Sequence, residues 1–388
     1  MLGTRLSRAG DTRTCFRHTA QRREKTQSGG RRTLYDASVP RELIFTGPRQ
    51  VSFREYEESP LGPGQVRVRT LLSGISHGTE MNIYRGTSPQ YARGVRDGLF
   101  TDEAEPAYRY PMTYGYEEVG EVVEVGPEVA GILVGDRVTG SWQHRESAAI
   151  DVAHQRRFFV WPSDFAPERA VFIALATVAL NDFLSSETRL GESAVIFGQG
   201  TIGSFVAQIC HLAGVAPIIV VDPIAARRER ALALGATHAI EPTGAAQRVR
   251  EILGRNGADV VFENSGSYRA LQEAIRCCAP IYGKVMAVSW YQGGGDDLRL
   301  GEEWHHSFTL RAGASRMLHN HLALPPAPGR QWDEPRLHRT AFDLIVSGRL
   351  ATEGLVSHRI PFARAAEAFD LIDCGQEQTT KVVLDFRE

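Results

Sequence analysis

One short stretch decides the fold: residues 193–203 read Ser-Ala-Val-Ile-Phe-Gly-Gln-Gly-Thr-Ile-Gly. The apolar run at its start is typical of a buried parallel strand, and residues 204–213 repeat apolar side chains at helical spacing. Three glycines therefore lie where a strand turns into a helix. The free N–H groups of a helix N-terminus make such a turn a binding site for an anion such as a phosphate.

Each glycine of this turn has a distinct task in binding a dinucleotide. Gly198 permits the tight turn, Gly200 lets a pyrophosphate approach the backbone, and Gly203 lets the helix pack closely against the strand. Thr201 and Ile202 open the helix, so we expect their N–H groups to face the phosphates. The sequence therefore predicts a Rossmann-type cofactor site.

Asp222 ends the next predicted strand, about 20 residues after the glycines, where the acidic residue of a dinucleotide site is expected. Its carboxylate can accept hydrogen bonds from both ribose hydroxyls of NAD and would repel the 2′-phosphate of NADP. Arg227 lies close in sequence and weakens that preference. NAD is therefore the predicted cofactor, and NADP is the alternative.

Strands and helices alternate from about residue 190 onward, which favours a doubly wound parallel sheet. Cofactors of such sheets bind at the carboxyl ends of the strands. Ser289 ends one of the predicted strands, so we expect it to contact the cofactor. The remaining predicted elements are strands at 217–222, 259–263, 284–288 and 381–384, and helices at 225–234, 270–277, 341–346 and 365–372.

The first part of the chain has a different pattern. Residues 41–140 read as short strands separated by turns that contain glycine, which predicts a small β-barrel-like domain. A long polar segment, residues 85–110, interrupts these strands. Segments of this length are either functional, here as a lid or substrate-pocket insert, or solvated surface loops.

The composition excludes several classes of function. The 388 residues are 42% hydrophobic, with a formal net charge of −2, so no overall field recruits nucleic acid or an anionic membrane. We find no apolar run that approaches the roughly 18 residues of a membrane helix. Five scattered cysteines match neither a disulfide framework nor a zinc ribbon and favour inert thiols in the cytoplasm. The arginine-rich residues 1–33 are a disordered or misassigned tail, with a transit peptide as the alternative.

Three further motifs resemble those of a known family: Gly74-Ile75-Ser76-His77-Gly78-Thr79-Glu80, the run from Gly115 to Val123, and Gly135-Asp136-Arg137-Val138. With the glycine turn they resemble the medium-chain dehydrogenase/reductase superfamily, and within it the branch that contains bacteriochlorophyllide a dehydrogenase. The resemblance implies an α/β fold with a GroES-like β-barrel-type catalytic domain at 34–165 and a Rossmann NAD-binding domain at 166–312. Residues 313–388 would return to the catalytic domain, and members usually form homodimers or homotetramers. The turn Asn264-Ser265-Gly266 resembles the superfamily turn that passes the nicotinamide ribose, so the resemblance implies that Asn264 and Ser265 contact the cofactor.

The resemblance breaks at the metal site. Members with catalytic zinc bind it through a cysteine, whose position falls here on Ser76 or His77, and through a histidine, which is replaced here by Tyr116. Residues 174–180 offer no evident third ligand, whereas a catalytic zinc needs about three protein ligands. We therefore expect no catalytic zinc.

Without a metal, protein hydroxyls must stabilise the alkoxide as hydride leaves the alcohol carbon. We expect Tyr116 to hold the substrate oxygen and to pass its proton through Thr79 or His77 towards solvent. Ser76 and Glu117 complete the candidate catalytic set. The alternatives are structural: a packed Tyr116, a loop His77, and a Glu117 that binds backbone N–H groups.

The sequence therefore predicts an NAD-dependent oxidoreductase that acts on a small secondary alcohol or polyol, or reduces the ketone. Two alternatives stay open: a zinc-free NADPH-dependent double-bond or quinone reductase, which Asp222 disfavours, and a dinucleotide-binding protein without turnover. We interpret the metal-like histidines as solvated loop residues, because they lie in a polar stretch without carboxylates or cysteines at ligand spacing. They are His305, His306, His319 and His321.

Overall fold

The first part of the chain forms antiparallel strands, as its short alternating runs predict. The computed structural model describes residues 39–97, 99–155, 157–306, 309–312, 332–375 and 379–388, so the predicted tail at 1–33 lies outside them, as do His319 and His321. The strands are β1 (Arg41–Gly47), β2 (Gln50–Glu55), β3 (Gln65–Gly74), β4 (Gly94–Arg96), β5 (Leu99–Thr101), β6 (Glu118–Val125), β7 (Arg137–Gly140), β8 (Ser147–Asp151) and β9 (Phe159–Val160). Strand β3 pairs with β6 and β8, and the sheet continues through β7 to β9.

The segment 85–110 is more ordered than an irregular loop. It follows helix α1 (Thr79–Arg85), contains a 3₁₀ turn at Pro89–Tyr91, and includes β4 and β5 as a separate antiparallel hairpin. Tyr91 stacks on Tyr110 with 4.7 Å between ring centroids. Both rings pack against the apolar core beneath β1 and α1, and this packing fixes the segment on the first sheet.

The strand before the glycine turn lies inside a parallel sheet of six strands within the described residues. These are β10 (Ala194–Phe197), β11 (Ile218–Val221), β12 (His238–Ile240), β13 (Val260–Glu263), β14 (Lys284–Ala287) and β15 (Thr309–Ala312). Their order is β12-β11-β10-β13-β14-β15. The order reverses between β10 and β13, and cofactors bind at such a switch point. The predicted α/β class and doubly wound sheet are confirmed.

Helices cover this sheet. They are α2 (Pro167–Ala170), α3 (Ile173–Ser186), α4 (Thr201–Leu212), α5 (Ala225–Ala233), α6 (Ala245–Leu253) and α7 (Tyr268–Cys277). The stretch Pro167–Ser186 has the length and mean hydropathy, 1.3, of a membrane span, contrary to our expectation that no run approaches that length. We missed it because Thr177, Asn181 and Asp182 interrupt its apolar residues. Since 83% of its apolar window is buried inside the protein, it has the character of a core helix.

The C-terminal part rejoins the first sheet. It contains α8 (Glu334–Val346), β16 (Val356–Pro361), α9 (Ala365–Cys374) and β17 (Lys381–Asp385). Helix α8 begins earlier than the predicted residue 341, because the Asp333 side chain accepts a hydrogen bond from the Arg336 N–H (2.9 Å) and caps its first turn. Strand β17 runs antiparallel to β3, with Val383 opposite Gly74. This pairing brings Lys381 to the predicted catalytic motif.

The described cysteines and His305 differ in their exposure. Cys210, Cys277 and Cys278 are buried free thiols, whereas Cys374 is exposed rather than buried. His305 is exposed and lies in a 3₁₀ turn at Glu303–His306 rather than in a loop.

Candidate active site

The glycine turn is shaped by close backbone packing at two of its glycines and by open space at the third. Gly198 has a φ of +80°, and a Cβ there would lie 2.9 Å from the Ser265 nitrogen. A Cβ on Gly203 would lie 1.8 Å from the Gly198 carbonyl oxygen, whereas a Cβ on Gly200 meets nothing within 4 Å. The space above Gly200 is where an incoming pyrophosphate fits.

This difference predicts opposite effects for two alanine substitutions. Gly203→Ala should lower the free energy of unfolding by about 1–3 kcal/mol through overpacking, measured by urea denaturation. Gly200→Ala should leave that free energy near its original value and weaken NADH binding roughly 10- to 100-fold, the equivalent of about 1–3 kcal/mol. Fluorescence titration with NADH measures the binding. If Gly200→Ala binds NADH normally, the pyrophosphate does not lie at this glycine.

Asp222 is buried at the end of β11, with 1% of its surface exposed. Its carboxylate accepts hydrogen bonds from the N–H groups of Gln199 (2.6 Å) and Ile224 (2.8 Å). The Arg227 guanidinium lies 3.8 Å from the same carboxylate and donates to the Thr379 carbonyl. A carboxylate has about four lone-pair sites, so these contacts leave capacity for ribose hydroxyls. Asp222 also fixes the glycine turn itself.

The predicted cofactor residues after β13 and β14 come together with the glycine turn. Ser265 packs against Gly198, and Ser289 lies against the turn at Gly266. The side-chain amide of Asn264 is buried and has no hydrogen-bond partner among the described residues. A buried amide without a partner is costly in a folded protein, and a ligand that bonds to it would remove that cost.

Glu263 organises this turn, although no motif in the sequence singles it out. It is fully buried, and its carboxylate accepts hydrogen bonds from the N–H groups of Ser265 (2.7 Å) and Gly266 (3.2 Å). It also accepts hydrogen bonds from the hydroxyls of Ser265 and Tyr291. Burial raises the pKa of Glu263 against these hydrogen bonds.

The predicted catalytic hydroxyls form one group. Tyr116 donates a hydrogen bond of 2.6 Å to the Ser76 hydroxyl. Burial and the carboxylates of Glu117 and Glu80 raise the pKa of Tyr116, and hydrogen bonds with Ser76 and Thr79 only partly oppose this. The phenol is therefore protonated at neutral pH and can act as a hydrogen-bond donor.

Glu117 forms a buried ion pair with Lys381, at the start of β17. Glu117 is 2% exposed and Lys381 is 1% exposed. The ammonium also donates to the Ile75 carbonyl (2.8 Å), next to Ser76. A Cβ on Gly74 would lie 2.7 Å from the carboxylate and 2.8 Å from Lys381 Cε, so the pair requires a glycine there. The alternative that Glu117 binds backbone N–H groups finds no support in its contacts.

The titration behaviour of Glu117 and His77 separates their roles. Burial, partly opposed by Lys381, raises the pKa of Glu117 to about 7. Burial, with the positive charges of Lys381 and Arg227, lowers the pKa of His77 to about 3. The His77 Nε2 atom is buried without a hydrogen-bond partner in the described part of the chain. His77 is therefore neutral near pH 7 and a weaker base than Glu117.

A second buried network supports this site and was missed in the sequence. His144 Nε2 lies 2.6 Å from a Glu80 oxygen, and His144 Nδ1 lies 2.6 Å from the Ser73 hydroxyl. Ser73 donates to Glu118 (3.2 Å), and the other Glu80 oxygen accepts the Ser76 N–H (2.9 Å). Burial opposes charging of His144, but the attraction of Glu80 and Glu118 outweighs it and raises the pKa of His144. The network holds Ser76 in place.

The donor set at this site does not fit a zinc ion. Tyr116 donates its hydroxyl to Ser76, and Glu117 already faces the Lys381 ammonium, which leaves His77 as the available ligand of the three candidates. A catalytic zinc takes about three protein ligands. No group of three His, Cys, Asp or Glu side chains in the described ranges is arranged to hold a metal ion.

Two family models match separate parts of the chain. The family model described as "Alcohol dehydrogenase GroES-like domain" matches residues 62–160, and the model described as "Zinc-binding dehydrogenase" matches residues 201–320. The chain is 28% identical to D-guloside 3-dehydrogenase of Escherichia coli K12 over 356 residues, 89% of this chain and 100% of the relative. It is 28% identical to 2-desacetyl-2-hydroxyethyl bacteriochlorophyllide A dehydrogenase of Rhodobacter capsulatus, over 89% of this chain and 98% of that one.

Solved structures share the fold. The 2R,3R-butanediol dehydrogenase of Bacillus subtilis superposes with a TM-score of 0.68 at 22% identity, over 89% of this chain and 99% of that one. An NADP complex of a zinc-binding dehydrogenase from Sinorhizobium meliloti (22% identity, 90% and 99% covered) also gives a TM-score of 0.68. An NADH complex of an alcohol dehydrogenase from Escherichia coli CFT073 (20% identity, 89% of this chain and 99% of that one covered) gives the same TM-score of 0.68. The predicted resemblance is confirmed.

Proposed function

This chain belongs to the medium-chain dehydrogenase/reductase superfamily and is an alcohol dehydrogenase-like oxidoreductase, and from that premise we propose that it oxidises a secondary hydroxyl of a polyol or sugar derivative with NAD and without catalytic zinc. The relative that acts on a guloside supports a sugar-like substrate. The observation that carries the proposal is the buried Lys381–Glu117 pair beside the hydroxyls of Tyr116 and Ser76.

The residues around the glycine turn fit a dinucleotide. The open space at Gly200 and the N-terminus of α4 would hold the pyrophosphate, and Asp222 would face the ribose. The unpartnered amide of Asn264 favours a contact with the nicotinamide half. NAD, when bound, supplies the hydride acceptor. Asp222 favours NAD over NADP because a 2′-phosphate would meet a buried carboxylate.

Protein groups stabilise the oxygen that loses its proton. The Tyr116 and Ser76 hydroxyls would hold the substrate oxygen, since they already bond to each other at 2.6 Å. The buried charge of Lys381 would stabilise the negative charge that develops on that oxygen, in the role that a Lewis acid has in other alcohol dehydrogenases.

Glu117 is the group best suited to receive the proton. Its Oε1 atom has no hydrogen-bond partner among the described residues, and a pKa of about 7 suits a base at neutral pH. His77, with a pKa of about 3, is a poor proton acceptor at neutral pH. We therefore assign the acceptor role to Glu117 instead of the route through His77 expected from the sequence. Thr79 keeps its proposed place beside the Tyr116 hydroxyl.

Purified protein should reduce NAD in the presence of polyols or sugar derivatives and should do so more efficiently with NAD than with NADP. NADH absorbance, with D-sorbitol, 2,3-butanediol and methyl glycosides as probes, measures this activity. Dialysis against a zinc chelator should leave it unchanged, and elemental analysis should find far less than one zinc per chain. The reason is that Glu117 faces the Lys381 ammonium and Tyr116 donates to Ser76, so neither side chain is available as a zinc ligand.

Three outcomes would contradict the proposal in different ways. One zinc per chain together with chelator-sensitive activity would contradict the zinc-free site. Reduction of quinones or enones by NADPH without alcohol oxidation would replace the reaction. Tight NADH binding without turnover of any alcohol would indicate a binding protein.

A further inference from the structure

Arg157 lies over the ring of Tyr116, next to the proposed catalytic hydroxyls. Its guanidinium carbon is 5.7 Å from the ring centroid, a cation–π distance. The Tyr114 ring packs edge-on against the same tyrosine, with 6.0 Å between centroids. A contact with a ring face uses none of the five N–H donors of a guanidinium, so Arg157 keeps its donors at the site.

The lack of a partner distinguishes Arg157 from comparable arginines. Among the described residues from 39 to 306, each other buried or half-buried arginine donates a hydrogen bond to a carboxylate, amide or carbonyl oxygen. Arg137, for example, bonds to the Phe165 carbonyl (3.0 Å), and Arg169 bonds to the Ile345 carbonyl (3.0 Å). Arg157 is half-buried and has neither a hydrogen bond nor an ion pair in this range. All five N–H donors of the Arg157 guanidinium are therefore available to a ligand.

The charges near Tyr116 do not compensate Arg157. Glu80 pairs with His144, and Glu117 pairs with Lys381, so each nearby carboxylate already has a cationic partner. The positive charge of Arg157 therefore lies beside Tyr116 without a matching carboxylate. Guanidinium groups bind carboxylates and phosphates in bidentate geometry.

We propose that Arg157 recognises a carboxylate or phosphate group of the substrate, so that this enzyme acts on an anionic polyol such as a sugar acid or a sugar phosphate. The inference rests on the proposed alcohol oxidation and names its substrate class. The Arg157 guanidinium carbon lies 5.7 Å from the Tyr116 ring centroid, and a C–C bond spans about 1.5 Å. A hydroxyl held at Tyr116 and an anion held at Arg157 would therefore be separated by a few carbon atoms. Hydroxy acids and phosphorylated polyols have this spacing.

The test compares matched neutral and anionic probes with NAD: D-sorbitol, D-gluconate and D-sorbitol 6-phosphate. The unaltered enzyme should oxidise at least one anionic probe with a kcat/KM about 10- to 100-fold above that of sorbitol. Comparison of gluconate with sorbitol 6-phosphate shows whether the enzyme prefers a carboxylate or a phosphate ester. Arg157→Met should remove this preference mainly by raising the KM for the anionic probe.

Two further variants control for charge and packing. Arg157→Lys keeps a positive charge without the bidentate fork and should retain part of the preference. Arg339→Met removes another guanidinium, which lies 4.9 Å from the Phe159 ring, and should leave the preference unchanged. A preference for sorbitol in the unaltered enzyme, or an anion preference that survives Arg157→Met, would overturn the inference while the proposed alcohol oxidation stands.

Binding gives a readout that does not depend on turnover. Calorimetric titration of gluconate and inorganic phosphate into the NADH complex should show binding that Arg157→Met weakens about 10- to 100-fold. If no alcohol is oxidised but this difference is found, the anion site stands and the proposed function fails. If neither anion binds, or both bind equally to the variant, the anion site is wrong.

Discussion

Lys381→Met should lower the kcat/KM for alcohol oxidation by about 10²- to 10³-fold, the range seen when a preorganised charge or donor at an oxyanion is removed. Methionine keeps the length of the side chain, so the change removes the ammonium and retains much of the packing beside Gly74. The reason is electrostatic: Lys381 is 1% exposed and touches Glu117 and the Ile75 carbonyl. A charge held in such a dry site acts strongly on a neighbouring alkoxide.

The pH profile separates this electrostatic role from a purely structural one. Lys381 favours the ionised form of Glu117, whose pKa is about 7 because burial acts in the opposite direction. Removal of the ammonium should therefore shift the ionisation of Glu117, and the rise of activity with pH that depends on it, to higher pH. A stopped-flow pH series of NADH formation measures the shift.

Stability needs its own control, because Lys381→Met leaves a carboxyl group buried without a counter-ion. Breaking a buried pair from one side costs about 3–5 kcal/mol. The double variant Lys381→Met/Glu117→Gln removes both charges and should recover much of that loss in urea denaturation while it stays inactive. Lys381→Arg keeps the charge and should retain measurable activity. Full activity in Lys381→Met would contradict the role assigned to the ammonium.

The sequence predicted the geometry of the glycine turn because the signals for that turn are local. The turn at Gly198, Gly200 and Gly203 depends on backbone space, and the structure finds that space where the motif places it. Asp222 follows a strand whose apolar residues and length are visible in the sequence. In contrast, the start of α8 was missed because its cap, Asp333, lies among polar residues without apolar spacing.

The catalytic half was predicted only in part, because its partners lie far apart along the chain. Tyr116 and Ser76 were singled out through the motifs they replace, and the structure joins them. Lys381 was not singled out in the sequence. A lysine directly before the apolar run Val-Val-Leu is nevertheless an unusual start for a buried strand. Nothing near Arg157 in the sequence indicates the ring of Tyr116. Such contacts arise from tertiary packing, which spacing along one chain does not encode.

Glu80 and His144 show the same limit, and they lead to the second large prediction. His144→Leu should lower the free energy of unfolding by about 3–5 kcal/mol, because Glu80 would be left as a buried carboxylate without a cationic partner. Both side chains are fully buried, 2.6 Å apart. Urea denaturation near pH 6 measures the loss. The double variant Glu80→Leu/His144→Leu should lose much less, since replacing a whole buried pair by apolar residues is often close to neutral.

The stabilisation by the Glu80–His144 pair should depend on pH in a defined direction. The pKa of His144 is raised in the folded protein above its ordinary value of about 6.5, so folding takes up a proton. The stabilisation is fully present below about pH 6.5 and disappears as the pH rises through the raised folded value. The difference in unfolding free energy between the unaltered protein and Glu80→Leu/His144→Leu, which lacks both titrating groups, should therefore shrink in alkaline buffer. A difference that grows with pH would mean that His144 is neutral when folded.

Activity decides whether this pair only stabilises the fold or also serves the reaction. Glu80 accepts the Ser76 N–H at 2.9 Å, and Ser76 accepts the hydroxyl hydrogen of Tyr116, so loss of Glu80 should displace the group that holds the substrate oxygen. A misplacement of about 1 Å can cost about 10²-fold in rate. The double leucine variant should therefore fold and still show a lower kcat, with NADH affinity retained. A double variant with unchanged kcat would restrict Glu80 and His144 to folding and leave Ser76 positioned by Tyr116 alone.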